Sequence, residues 1–127
     1  MSYLAPEDII SAILHFLPRD KRRFTADRES LHKFFYDARK KYPELLQNIR
    51  FRERYPFPES RALDQALANF EAAGLLSRKN DSPKYYYVEN EIDHYFEVFA
   101  NVRLRRKRLS YRAPKKLSEE LASRLCF

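Results

Sequence analysis

The chain has 127 residues, which is enough for one domain with a single hydrophobic core. Its 25 lysines and arginines exceed its 18 acidic residues, and a net charge of +7 favours polyanionic partners such as nucleic acids. The single cysteine, Cys126, excludes an internal disulfide, and no apolar run is long enough to cross a membrane. We therefore expect a cytoplasmic protein without a signal peptide or a membrane anchor.

The first predicted helix begins near Pro6, a residue suited to a first helical turn, and ends at Pro18. Its apolar stripe consists of Ile9, Ile10, Ile13, Leu14 and Leu17. The residues 19–23 that follow are mostly basic and predict a solvated connection. Contact of this connection with phosphate is an alternative that the spacing alone does not support.

A second helix is predicted from a cap at Thr25 or Asp27 to about Tyr42, where Tyr42-Pro43 breaks it. One further helical turn is expected after Pro43. Residues 49–55 then alternate between apolar and polar side chains, which predicts a short strand. Because nearly twenty residues separate Lys41 from Ser60, the connection is too long for a compact helix-turn-helix turn.

The clearest local signals lie in residues 59–88. Ser60 is a good N-cap, and the helix after it has an apolar face of Leu63, Ala66, Leu67 and Phe70. Gly74, the only glycine, stands where a helix ends in a left-handed turn. Leu75-Leu76, a polar turn at Asn80-Asp81-Ser82-Pro83 and the tyrosine-rich run to Val88 predict a β-hairpin.

This stretch resembles the winged helix-turn-helix regulators through Leu67, Phe70, Ala73-Gly74-Leu75-Leu76 and Arg78. The resemblance covers about thirty residues and concerns the fold. It implies a mainly α fold with a small β-hairpin wing, with residues 1–89 as a winged-helix-like domain. Residues 90–127 then add a C-terminal helix and a basic segment.

A further long helix is predicted from Asn90, with a strongly aromatic face. Ile92, Tyr95, Phe96 and Phe99 either form a homodimer interface, as in many winged-helix regulators, or pack back onto the domain. The residues 103–116, called here the basic segment, hold eight lysines and arginines among fourteen residues. Arg112-Ala113-Pro114 is predicted to break regular structure, and Ser118 to open a last short helix.

Enzyme chemistry is not predicted. One glycine excludes a glycine-rich phosphate loop, and the three histidines are too far apart in sequence to suggest a metal site. Cys126 has no histidine context for a catalytic thiol. We predict neither a metal nor a cofactor.

The predicted function is binding of double-stranded DNA by a small transcriptional regulator. Base contacts are expected from Arg61, Gln65 and Asn69, which lie at successive turns of one helix. Backbone contacts are expected from Arg78, Lys79, Lys84, Arg103, Arg105, Arg106, Lys107 and Arg108. Asp64 and Glu71 on the same helix would repel phosphates. The alternative is a module that docks a partner protein, such as an antitoxin or an assembly subunit.

Overall fold

The structure, a computed structural model, describes residues 4–79 and 82–126, and of residues 82 and 83 only the backbone. The elements in chain order are α1 (Pro6–His15), a 3₁₀ turn (Arg19–Lys21), β1 (Arg23–Thr25), α2 (Arg28–Lys41), α3 (Arg61–Ala72), β2 (Leu76–Lys79), β3 (Ser82–Val88), α4 (Glu91–Tyr95), a π-helical turn (Phe96–Ala100), α5 (Asn101–Arg106) and α6 (Arg112–Arg124). The fold is mainly helical with a small antiparallel sheet, which confirms the predicted class at this level.

The sheet has three strands in the order β1-β3-β2, all antiparallel. Phe24 of β1 pairs with Tyr86, and Leu76 of β2 pairs with Val88. All four side chains are buried, so this face of the sheet packs on the helices. The hairpin β2–β3 was predicted, although its turn residues Asn80 and Asp81 lie outside the described residues.

The prediction of a strand at residues 49–55 is wrong. The third strand of the sheet is β1, which pairs with β3. Arg52 makes only an isolated antiparallel bridge with Glu59, through N–O distances of 2.7 and 2.9 Å. Ile49 is buried, but Tyr55 is 98% exposed. The alternation that suggested a strand arises because Ile49 and the partly buried Phe51 point inward from an irregular segment.

Helix α3 begins and ends as predicted. The Ser60 hydroxyl accepts a hydrogen bond from the Leu63 N–H at 3.1 Å, which caps the first turn. Leu63, Ala66, Leu67 and Phe70 are buried. Gly74 has φ +80°, and the Leu75 N–H returns to the Phe70 carbonyl at 2.9 Å. The glycine therefore lets the chain leave the helix at a left-handed residue.

Gly74→Val is expected to lower the free energy of unfolding by at least about 1 kcal/mol. A Cβ atom at this position would have no neighbour within 4 Å, so the cost comes from the backbone conformation alone. Asparagine tolerates this conformation, and Gly74→Asn is expected to cost less. Urea unfolding measures both variants. Equal stability of the valine variant and the unmodified protein would contradict the argument.

The helices after β3 pack along α1 and belong to the same core. Asp93 contacts His15 at the end of α1, and Arg103 contacts Asp8 at its beginning, so the helix over residues 91–106 runs antiparallel to α1. Ile92, Phe96, Leu104 and Leu117 are buried with the α1 side chains. Residues on both sides of position 90 therefore share one core.

Two predictions for the end of the chain are wrong. Helix α6 begins at Arg112, and Pro114 lies in its first turn, where a proline removes no internal hydrogen bond. Ser118 is buried in the middle of α6 and does not begin a helix. Among the residues that the structure describes, no helix is both long and apolar enough to span a bilayer.

Candidate nucleic-acid interface

A cleft of about 880 Å³ lies beside the amino-terminal end of α3. Its walls come from the start of α2, from the α2–α3 connection and from the first turn of α3. Five of its ten lining residues are arginines, namely Arg28, Arg50, Arg52, Arg54 and Arg61. The two carboxylates in the lining are Glu59 and Asp64. We call this site the arginine cleft.

Arg28 neutralises much of the acidic charge in the arginine cleft. Its guanidinium donates to both oxygens of Asp64, with distances of 2.7 to 3.2 Å, and to Glu59 at 3.2 Å. Arg54 adds a weaker contact to Glu59 at 3.8 Å. In residues 4–79 and 82–126, no ion pair involves the exposed side chains of Arg50, Arg52 and Arg61. Three positive charges of the cleft therefore remain available to a ligand.

The pKa values of the two cleft carboxyls are consistent with this pairing. Burial raises the pKa of Asp64, but hydrogen bonds from Arg28 and His32 outweigh it and leave the value below the ordinary one. The hydrogen bond from Arg28 also lowers the pKa of Glu59. Both groups are therefore ionised and paired at neutral pH, and they hold Arg28 in place.

His32 fixes the beginning of α3. Its ring, 1% exposed, accepts the Ser60 N–H at Nδ1 over 2.9 Å. Since Nδ1 is an acceptor, Nε2 carries the hydrogen and donates it to Asp64 at 2.8 Å. The histidine thus joins α2 to the capping residue of α3 and to its first acidic side chain. This role of His32 has no local signal in the sequence, because its partners Ser60 and Asp64 lie 28 and 32 positions away.

The three residues predicted to contact bases lie on the exposed face of α3. Arg61 is part of the arginine cleft. Gln65 Nε2 donates to Asn69 Oδ1 at 2.9 Å, and Asn69 Nδ2 donates to Glu7 of α1 at 3.1 Å. The two amides are therefore preoriented by a carboxylate of another helix, whereas Arg61 has no ion pair among the described residues.

The predicted phosphate contacts of the hairpin differ in availability. Arg78 is paired with Glu71 at 3.1 Å and stacks over the Tyr86 ring at 5.2 Å. Lys79 lies over the Tyr87 ring at 4.6 Å, and Lys84 is exposed. This ion pair neutralises Glu71, one of the two acids of α3 expected to repel phosphates, and it engages the charge of Arg78 as well.

The residues of the basic segment also differ in whether their charges are already paired. Arg103 pairs with the fully buried Asp8 at 2.8 Å and serves the packing of α5 on α1. The side chains that follow it are exposed and form no ion pair within the described parts of the chain: Arg105, Arg106, Lys107 and Arg108. Arg108 has φ +55° and ends α5 in a left-handed conformation. These four residues can contact phosphates more readily than Arg103.

Of the four residues predicted to form a dimer interface, two are buried in the core and two are at least partly exposed. Ile92 is 0% and Phe96 4% exposed, and Phe96 stacks on His15 with ring centroids 4.2 Å apart. These two side chains have no surface left for a second copy. Tyr95 is half-buried, and Phe99 is 47% exposed.

No protein-family model, curated protein or solved structure matches the chain. Its function is therefore inferred from the arginine cleft, from α3 and from the charged side chains around them.

Proposed function

We propose that this protein is a winged-helix protein that binds double-stranded DNA and acts as a small transcriptional regulator. The amino-terminal part of α3 faces the major groove, and the arginine cleft holds the phosphates beside it. The single observation that carries this proposal is the group of unpaired arginines at the beginning of α3.

Two features of the fold support a winged helix. Helix α3 ends at Gly74 and continues directly into an antiparallel hairpin. The short strand β1 pairs with the outer side of that hairpin through β3. The departure from a compact helix-turn-helix is the long connection between Lys41 and Ser60, and this same connection contributes Arg50, Arg52 and Arg54 to the cleft.

The chemistry of the arginine cleft suits phosphate oxygens. A guanidinium group presents a planar fork of donors that matches a phosphate, and it stays charged at all physiological pH values. The beginning of α3 adds the positive end of a helix dipole in the same place. An anion in the cleft would therefore be attracted by side chains and backbone together.

The acidic residues of α3 weigh less against DNA than their sequence positions suggest. Asp64 is held by Arg28 and His32, and Glu71 by Arg78. Each carboxylate thus presents an ion pair to a ligand and not a free negative charge. A further acid near the base-contacting face is Glu7, which accepts the hydrogen bond from Asn69.

The unmodified protein is expected to bind duplex DNA at low salt and to lose affinity steeply as salt is added. The logarithm of the binding constant falls by about 0.9 per phosphate contact for each tenfold rise in salt. Replacing Arg105, Lys107 and Arg108 by alanine is expected to reduce that slope and to weaken all duplexes about equally. Titration of labelled duplexes at stepped salt concentrations measures both effects.

A lysine triple variant provides the control for net charge. Lys21, Lys33 and Lys40 are exposed, lie outside the basic segment and line no part of the arginine cleft. Their replacement by alanine removes the same charge and is expected to leave the slope nearly unchanged. If no duplex binds even at low salt, DNA binding is refuted and the protein-docking alternative takes its place.

A further inference from the structure

An apolar patch on the helix 91–106 is left open by the fold. Four large hydrophobic side chains are exposed among the described residues, and three of them are Val98, Phe99 and Val102, at 45%, 47% and 41%. Tyr95, half-buried, continues the patch, and Tyr95 and Phe99 border a cleft of about 560 Å³ beside the end of α3. Clustering of this kind marks a contact surface more often than isolated exposed residues do.

The exposed side chains form two neighbouring lines along the helix. The buried residues recur every fourth position at Ile92, Phe96, Ala100 and Leu104. The π-helical turn, in which the Asn101 N–H bonds to the Phe96 carbonyl, widens the helix and keeps these four residues on one side. Each residue of the first line directly precedes a buried residue: Glu91, Tyr95 and Phe99. Each residue of the second line stands two positions after one: Val98, Val102 and Arg106.

Where the helix is α-helical, at about 100° per residue, these two lines lie roughly 60° apart; they lie further apart across the wider π-helical turn, and together they make one face. The face is apolar in the middle, acidic at its beginning and basic at its end. Glu91 and Arg106 are exposed, and neither forms an ion pair within residues 4–79 and 82–126. Their charges are therefore free to meet charges on another molecule.

The face is complementary to itself in the antiparallel direction. When a second copy is aligned with the centre between Val98 and Phe99, Glu91 meets the second copy's Arg106 and Tyr95 meets its Val102. Phe99 then meets the second copy's Val98. His94 meets its Arg103, whose charge Asp8 already engages. The first line of each copy thus faces the second line of the other, as a two-fold axis requires.

We propose that the chain forms a homodimer in which two helices 91–106 pack antiparallel, with two Glu91–Arg106 ion pairs enclosing the apolar patch. This assembly goes beyond the proposed function and does not depend on DNA. The occupant is a second copy because the acidic beginning and the basic end of the face meet in register when two copies pack antiparallel. The contact is small, so we expect a dissociation constant on the order of 10 µM, typical of weak association.

Exchange of the two charges tests the dimer in the full chain. Glu91→Arg alone and Arg106→Glu alone each place like charges together twice in the dimer, and each is expected to raise the dissociation constant at least about tenfold. The double variant restores opposite charges and is expected to return to within about threefold of the unmodified protein. Sedimentation equilibrium over a range of concentrations measures these constants.

Glu97→Arg and Arg105→Glu are the matched controls. Each of these residues directly follows a buried one, Phe96 or Leu104, and lies on the opposite flank of the helix. Their substitution is expected to change the dissociation constant by less than about twofold, since surface charges outside an interface are screened. Circular dichroism checks that all variants remain folded. A strict monomer at about 100 µM, or a double variant no better than the single ones, would overturn the proposal.

Discussion

Replacing Arg50, Arg52 and Arg61 together by alanine is expected to lower the affinity for duplex DNA between about 100- and 1000-fold. Each of these arginines is exposed without an ion pair in the described structure, so each can donate a charge-assisted hydrogen bond to phosphate. One such bond contributes about 1 to 1.5 kcal/mol, and three together correspond to roughly two to three powers of ten in affinity. Fluorescence anisotropy at fixed salt measures the loss.

The design separates a built site from general attraction. The control triple, with alanine in place of Lys21, Lys33 and Lys40, has the same net charge as the arginine triple and is expected to keep its affinity within about threefold. A second version, with lysine in place of Arg50, Arg52 and Arg61, retains the charge but loses the guanidinium forks. If the alanine variants of the arginine triple and of the control triple lose the same affinity, only the overall charge attracts DNA, and the cleft has no special role.

The parts of the fold that were predictable have local chemical signals. Ser60 and Gly74 mark the two ends of α3 because capping and a left-handed exit each require particular residue types. The apolar spacing between them identifies the buried face. The hairpin follows from the β-forming run after the helix. None of these features depends on distant residues.

The parts that sequence analysis missed depend on contacts between distant segments. β1 is three residues long with one buried side chain, Phe24, and only its pairing with β3 makes it a strand. Arg22, in the segment predicted to be a solvated connection, is 10% exposed and donates to Asp93, 71 positions away. No local pattern at residues 19–23 contains this information.

Part of the arginine cleft is visible in the sequence as a regular spacing of arginines. Arg50, Arg52 and Arg54 stand at alternate positions, which places their side chains on one side of an extended segment. The apolar residues between them predict one face of a strand, which the fold does not form. The charged side of the same pattern was the part that bears on function. The proximity of this segment to Arg28 and Arg61 could not be predicted, because it depends on the tertiary fold.

His32→Leu is expected to lower the free energy of unfolding by about 1 to 3 kcal/mol, because the buried Ser60 N–H loses its partner and the half-exposed Asp64 loses one hydrogen bond. The Ser60 N–H, which donates to Nδ1 at 2.9 Å, would be left unpaired in a buried place. Asp64 would keep Arg28 but lose the bond to Nε2. Urea unfolding of this variant and of His94→Leu, an exposed histidine as control, measures the difference.

The same substitution is expected to weaken DNA binding at temperatures where the variant is still folded, because Ser60 and Asp64 position the first turn of α3 beside the arginine cleft. The free energy of unfolding of the control His94→Leu is expected to stay within about 0.5 kcal/mol of that of the unmodified protein, as for most surface substitutions. Slower hydrogen exchange of the Leu63 amide in the unmodified protein than in His32→Leu would show that the cap loosens. If His32→Leu is as stable as the control and its Leu63 amide exchanges no faster, Ser60 and Asp64 hold α3 without the histidine, and the positioning role is refuted.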